Sequence, residues 1–87
     1  MNYILQGSAM TSSETAQRHI AETLHFADWY GGNLDALFDL LTALTKPVVI
    51  TLRDGDQMDA ALGIYAQKLR RVFSDAAAQN SNIVLAF

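Results

Sequence analysis

Residues 47–52 read Pro47-Val48-Val49-Ile50-Thr51-Leu52, a run of β-branched and aliphatic side chains led by a residue without an amide hydrogen. Proline suits the first position of a strand. The unbroken apolar run predicts a strand covered on both faces, and hence a parallel sheet. Upstream, Tyr3-Ile4-Leu5 before Gly7 and Ser8 predicts a first strand ending in a turn. Downstream, Ile83-Val84-Leu85-Ala86-Phe87 after Asn80-Ser81-Asn82 predicts a last one. The intervals between these strands have helical spacing. Thr11 and Glu14 stand at capping-box separation, so a helix is expected from about Ser12 to about His25 with Ala16, Ile20, Thr23 and Leu24 inward. Asn33 is a suitable N-cap for a second helix reaching about Leu44. After the turn Asp54-Gly55-Asp56, the residues Met58, Leu62, Tyr65, Leu69, Val72, Phe73 and Ala76 mark a long helical segment that Gly63 divides. The order β-αα-β-αα-β predicts an α/β fold, a small three-stranded parallel sheet packed by helices.

Eighty-seven residues fit one domain, residues 1–87, because compact domains run to roughly 100–150 residues. Half the chain is hydrophobic and 17% is charged, a globular composition and not a disordered one. There is no cysteine, which argues against a disulfide scaffold and fits a reducing compartment. No apolar run approaches the ~18 residues of a membrane span, and Met1-Asn2-Tyr3-Ile4-Leu5 lacks the pattern of a secretory signal. No membrane partner is expected.

The net charge of −3 is mild, but its distribution is not. Between Arg18 and Lys46 there is no lysine or arginine, while Glu22, Asp28, Asp35 and Asp39 fall in that interval. An acidic stretch holding the aromatic cluster argues against nucleic acid as a partner and favours a basic protein. On a helical wheel with Asp35 at zero, Phe38 falls near about 300°, Asp39 near about 40° and Thr42 near about 340°. Leu34, Leu37, Leu40, Leu41 and Leu44 occupy about 140° to 260°, enough for a buried face without Phe38. Two carboxylates one turn apart repel each other locally, a cost that a docked cationic surface would reverse. Against this stands the plain alternative of two solvated acids beside a Phe38 tucked against a neighbouring element.

The segment Trp29-Tyr30-Gly31-Gly32-Asn33-Leu34-Asp35-Ala36-Leu37-Phe38-Asp39-Leu40-Leu41-Thr42 closely resembles the signature of the barstar family, the intracellular inhibitors of barnase-type ribonucleases. The similarity extends over the whole chain, including the Pro-led strand, the Val72-Phe73 pair and the apolar last strand. What the resemblance implies is a non-enzymatic inhibitor whose second helix and preceding loop plug the active site of a basic, extracellular-type ribonuclease. Its carboxylates would stand where RNA phosphates lie. Asp39 would be the central anion, Asp35 would pair with a further base, and Asp75 would be an outlying acidic contact. Trp29, Tyr30, Gly31, Asn33, Leu34, Phe38, Thr42 and Ala43 would form the surrounding contact surface. The implied setting is the bacterial cytoplasm, as an immunity or antitoxin protein that is a monomer when free. Trp29 stands where the family typically has tyrosine, Phe38 where it often has tryptophan, Leu44 where another aromatic is common, and Gly32 where an acid is.

Two other readings compete. One is an immunity or regulatory protein that uses the same acidic helix against a different basic partner. The other is a small hydrolase with Asp35 and Asp39 as an acid and base pair, although no neighbouring residue separates their roles. Glu22-Thr23-Leu24-His25 has the spacing of two ligands on one helix face, but a carboxylate-bridged centre needs a second copy. Asp54-Gly55-Asp56 with Asp59 lacks the glycine and terminal glutamate of a calcium loop. His19 is read as a boundary residue of the first helix. Ser12 and Ser13 have no nucleophile elbow, and no phosphate-binding glycine loop is present. No catalytic residue, metal site or cofactor is therefore expected.

Overall fold

The computed structural model of the chain describes residues 1–28 and 30–87. Three strands, β1 (Asn2–Gln6), β2 (Val48–Arg53) and β3 (Ile83–Ala86), form one parallel sheet in the order β1-β2-β3. Helices α1 (Ser13–Thr23) and α2 (Leu34–Thr42) connect the first pair of strands, and α3 (Gly55–Leu62) and α4 (Ile64–Gln79) the second. A short 3-10 turn, Gly7–Ala9, follows β1 where the sequence pattern predicts a turn. The α/β architecture is the predicted one.

Register explains why the sheet has unequal faces. Tyr3 pairs with Ile50 and Ile50 with Leu85, while Val48 pairs with Ile83 and Leu5 with Leu52. On this side Leu5, Val48, Ile50 and Ile83 are buried beneath the helices. The alternate rows are Asn2, Val49 and Val84, and then Ile4, Thr51 and Ala86. Here Val84 is 56% and Ile4 38% exposed. The expectation of cover on both faces therefore fails, because two short helix pairs pack on one side only. β2 reads as an unbroken apolar run because its central position shields Val49 and Thr51 between neighbouring strands.

The core beneath the sheet combines Leu5, Ile20, Leu37, Leu41, Ile50, Met58, Leu69 and Phe73 with Met10, a residue outside every predicted stripe. Alpha-1 starts one residue later than its capping signal suggests. Ser12 is the N-cap, the Thr15 amide donates to Ser12 Oγ at 3.1 Å, and the Ser12 amide donates to Thr15 Oγ1 at 2.9 Å. The expected Thr11–Glu14 box is thus replaced by Ser12–Thr15, and Glu14 pairs with Arg18 at 3.1 Å. The inward stripe also shifts: Ala16, Gln17 and Ile20 are buried, whereas Thr23 is not. His25 closes the helix at φ 58°, a conformation that ends helices, and its ring meets the Tyr3 ring edge-on at 6.1 Å. His19, expected at a boundary, accepts the Gln6 amide on Nε2 at 2.9 Å and joins α1 to β1.

Gly63 divides α3 from α4 as the pattern predicts, and its φ of 57° with ψ of −124° is backbone that a side chain disfavours. In α4, Ala66, Leu69, Phe73 and Ala76 face the core. Phe87, just past β3, packs its ring on Phe73 at 5.2 Å.

Candidate protein-docking site on α2 and its preceding loop

Alpha-2 is a rigid platform because both of its ends are tied. At the start, Asn33 Oδ1 accepts the Ala36 amide at 2.8 Å, the N-cap expected from sequence. At the far end, the Asn80 side-chain amide donates to the carbonyls of Leu41 at 3.0 Å and Leu44 at 2.9 Å. Asn82 Nδ2 adds a bond to the same Leu44 carbonyl at 3.1 Å. The helix stops at Thr42 with Ala43 as C-cap, two residues before the expected end. Sequence reasoning missed Asn80 and Asn82. A side-chain cap supplied from another strand connection leaves no local spacing to read.

Alpha-2 and α4 run side by side in the same direction. Leu34 and Asp35, at the start of α2, share a groove with Ile64, Lys68, Arg71 and Val72 of α4, and Asn80 closes the other end. Leu37 and Leu41 are fully buried, with Leu34, Leu40 and Leu44 half-buried beside them. Asp35, at the rim of this groove, and Asp39 are exposed, and neither forms an ion pair or side-chain hydrogen bond among the described residues. Phe38 lies between these two environments. It is half-buried and packs against the core, so the expectation that the helix dispenses with it is corrected: one side of the ring serves the fold, the other the surface. The Thr42 hydroxyl donates back to the Phe38 carbonyl at 2.9 Å.

The loop before α2 is also anchored. Tyr30 is half-buried, its ring packs on Phe26 at 5.1 Å, and its hydroxyl donates to Gln17 of α1. Burial, and then the neighbouring Tyr65, push the Tyr30 hydroxyl up to about 12. Gly31, Gly32 and Asn33 are exposed, and Gly32 takes φ 68°. Gly32, Asn33, Leu34 and Asp35 open onto a cleft shared with Ser13, Glu14 and Tyr65. The expected contact residue Trp29 lies outside the described residues. Asp75 is exposed on α4 and faces Arg71, an i,i+4 neighbour, at 3.6 Å.

Tyr30, Gly31, Asn33, Leu34, Asp35, Phe38, Asp39, Thr42 and Ala43 therefore lie on one continuous stretch of loop and helix, with Asp75 on the adjacent α4. The chemistry such a face offers is two outward carboxylates on a fixed helix beside a partly exposed aromatic ring, the makings of a contact for a cationic protein surface.

The family model described as "Barstar (barnase inhibitor)" matches residues 1–87. A Bacillus subtilis (strain 168) protein named "Putative ribonuclease inhibitor YrdF" is 32% identical over 74 residues, which cover 84% of this chain and 81% of that protein.

Proposed function

The chain belongs to the barstar family, and from that premise we propose that it inhibits a basic, barnase-type ribonuclease by plugging its active site, without catalytic activity of its own. The observation that carries this reading is the pair Asp35 and Asp39, exposed and in no ion pair among the described residues, on a helix tied at both ends. Carboxylates held in this way meet preorganised arginine, lysine or histidine groups at little ordering cost, as a phosphate would. Asp39 takes the central place and Asp35 a flanking one. Tyr30, Gly31, Asn33, Leu34, Phe38, Thr42 and Ala43 shape the surface around them. Asp75 contributes once a partner cation competes with Arg71 for it. The inhibitor acts as a monomer in the cytoplasm, where an active secreted-type ribonuclease would otherwise meet cellular RNA.

The test is a titration of barnase with this protein, followed by cleavage of a fluorogenic RNA. Ribonuclease activity is expected to fall linearly to an endpoint at one inhibitor per enzyme, and the protein alone should release no product. The association rate should drop as salt shortens the Debye length from about 10 Å at 0.1 M to about 3 Å at 1 M. Undiminished cleavage at an excess of this protein refutes the reading.

A further inference from the structure

Gln17 is the one polar side chain buried among the described residues, at 5% exposure. It stands on α1, far from the carboxylates in sequence and outside the docking face. A buried amide without partners costs free energy, so its bonds carry information. Gln17 Oε1 accepts from the Tyr30 hydroxyl and Gln17 Nε2 donates to the Tyr65 hydroxyl at 2.8 Å. One side chain thus joins α1, the loop before α2, and α4.

Besides this bond, the loop is held by packing of the Tyr30 ring on Phe26 at 5.1 Å and against the core, and by a 3.4 Å contact of the Tyr30 hydroxyl with the Asn33 carbonyl. The Tyr30 amide bonds locally to the Ala27 carbonyl at 2.9 Å, and Asn33 bonds into α2. Among the described residues, the Tyr30 hydroxyl makes the hydrogen bond that joins residues 30–33 to α1. Next to it Gly31 and Gly32 are exposed, and a side chain added at Gly32 would meet open space. Two adjacent glycines, with nothing packed against Gly32, leave a loop with conformational freedom to lose on binding, unless something fixes it beforehand.

We propose that Gln17 is a positioning residue that holds this loop in its docking shape through the Tyr30 hydroxyl, so that a residue never in contact with the partner governs affinity for it. The statement about affinity rests on the ribonuclease-inhibitor reading; the statement about the loop does not. The raised ionisation of Tyr30 agrees with a hydroxyl withdrawn from water at this junction.

The experiment compares wild type with Gln17→Met, which keeps length and apolar volume and removes both polar ends, and with Tyr30→Phe and the double variant. In the free protein, hydrogen exchange at the Tyr30 and Ala36 amides of Gln17→Met should accelerate about tenfold while exchange at Ile50 is unchanged. Tyrosine titration should show Tyr30 ionising nearer its ordinary range. Affinity for barnase should fall about tenfold in each single variant and no further in the double, the non-additivity of one shared bond. Unchanged exchange and unchanged Tyr30 ionisation overturn the positioning role, and so do additive losses of affinity. If wild type fails to inhibit barnase while Gln17→Met loosens the loop, the loop assignment stands and the ribonuclease reading is what falls.

Discussion

The Asn80 side-chain amide donates to the Leu44 carbonyl at 2.9 Å across 36 residues of sequence. The same nitrogen reaches the Leu41 carbonyl at 3.0 Å, and Asn80 Oδ1 accepts the Asn82 amide at 3.1 Å. The last carbonyls of a helix have no partners within it. Here the turn leading into β3 supplies one to Leu41 and also holds Leu44 just past the C-cap, so the end of α2 is fixed by the element that follows α4. The entry into β3 and the C-terminal end of α2 are joined through this residue.

Asn80→Ala should accordingly destabilise the protein by about 0.5–1.5 kcal/mol, since it removes bonds to the Leu41 and Leu44 carbonyls but leaves them the Leu44 amide and Asn82 as donors. Asn82→Ala removes one bond to a carbonyl that Asn80 still serves, and should cost less. Urea denaturation of both variants, followed by circular dichroism, gives the comparison. Equal midpoints for wild type and Asn80→Ala would mean that water caps the helix equally well.

Asp39→Ala should weaken binding to barnase by about 1.5–3 kcal/mol, the range for a hydrogen bond to a charged group. Glu22→Ala changes the net charge equally, but Glu22 is exposed on α1, and it should act only through the long-range field. Asp39→Ala also relieves the i,i+4 repulsion with Asp35, so the free protein should melt no lower than wild type. Calorimetric titration and a melting curve for each variant provide the check. Equal losses of affinity would move the docking face off α2.

The Tyr30 hydroxyl is raised to about 12 by burial and then by Tyr65, against an ordinary 10.0. The folded state therefore favours the protonated form. Its contribution to stability is fully present below pH 10 and is lost as the pH rises from about 10 towards 12. Unfolding free energy measured in urea from pH 8 to 12 should decline more steeply over that window for wild type than for Tyr30→Phe, which has no proton to lose there. Parallel profiles would show that other tyrosines and lysines carry the alkaline loss.

Much of this molecule is local and could be read from local spacing. The Asn33 cap depends on a side chain three residues from the amide it serves, Gly63 on its own backbone angles, and β2 on β-branched side chains behind Pro47. Such features are decided within one or two turns of chain, where residue type and separation are enough. The α1 box shows the limit. Thr11 and Glu14 have the better-known pairing, yet Ser12 and Thr15 form it, a choice that residue spacing by itself does not make.

By itself, then, the sequence determined the element order, the parallel sheet and the acidic face of α2. Tertiary structure decided what lies beside that face and what holds it. Between Arg18 and Lys46 the sequence has no lysine or arginine, but folding brings Lys68 and Arg71 of α4 into the groove that Asp35 borders. Phe38 is shared between core and surface, half-buried and packed against the core. The Tyr30 hydroxyl turns inward to Gln17, and Asn80 reaches back to Leu44, through contacts separated by 13 and 36 residues. Periodicity reports which side of an element is apolar. It is silent about which distant side chain arrives there, since that depends on how whole helices are laid against one another.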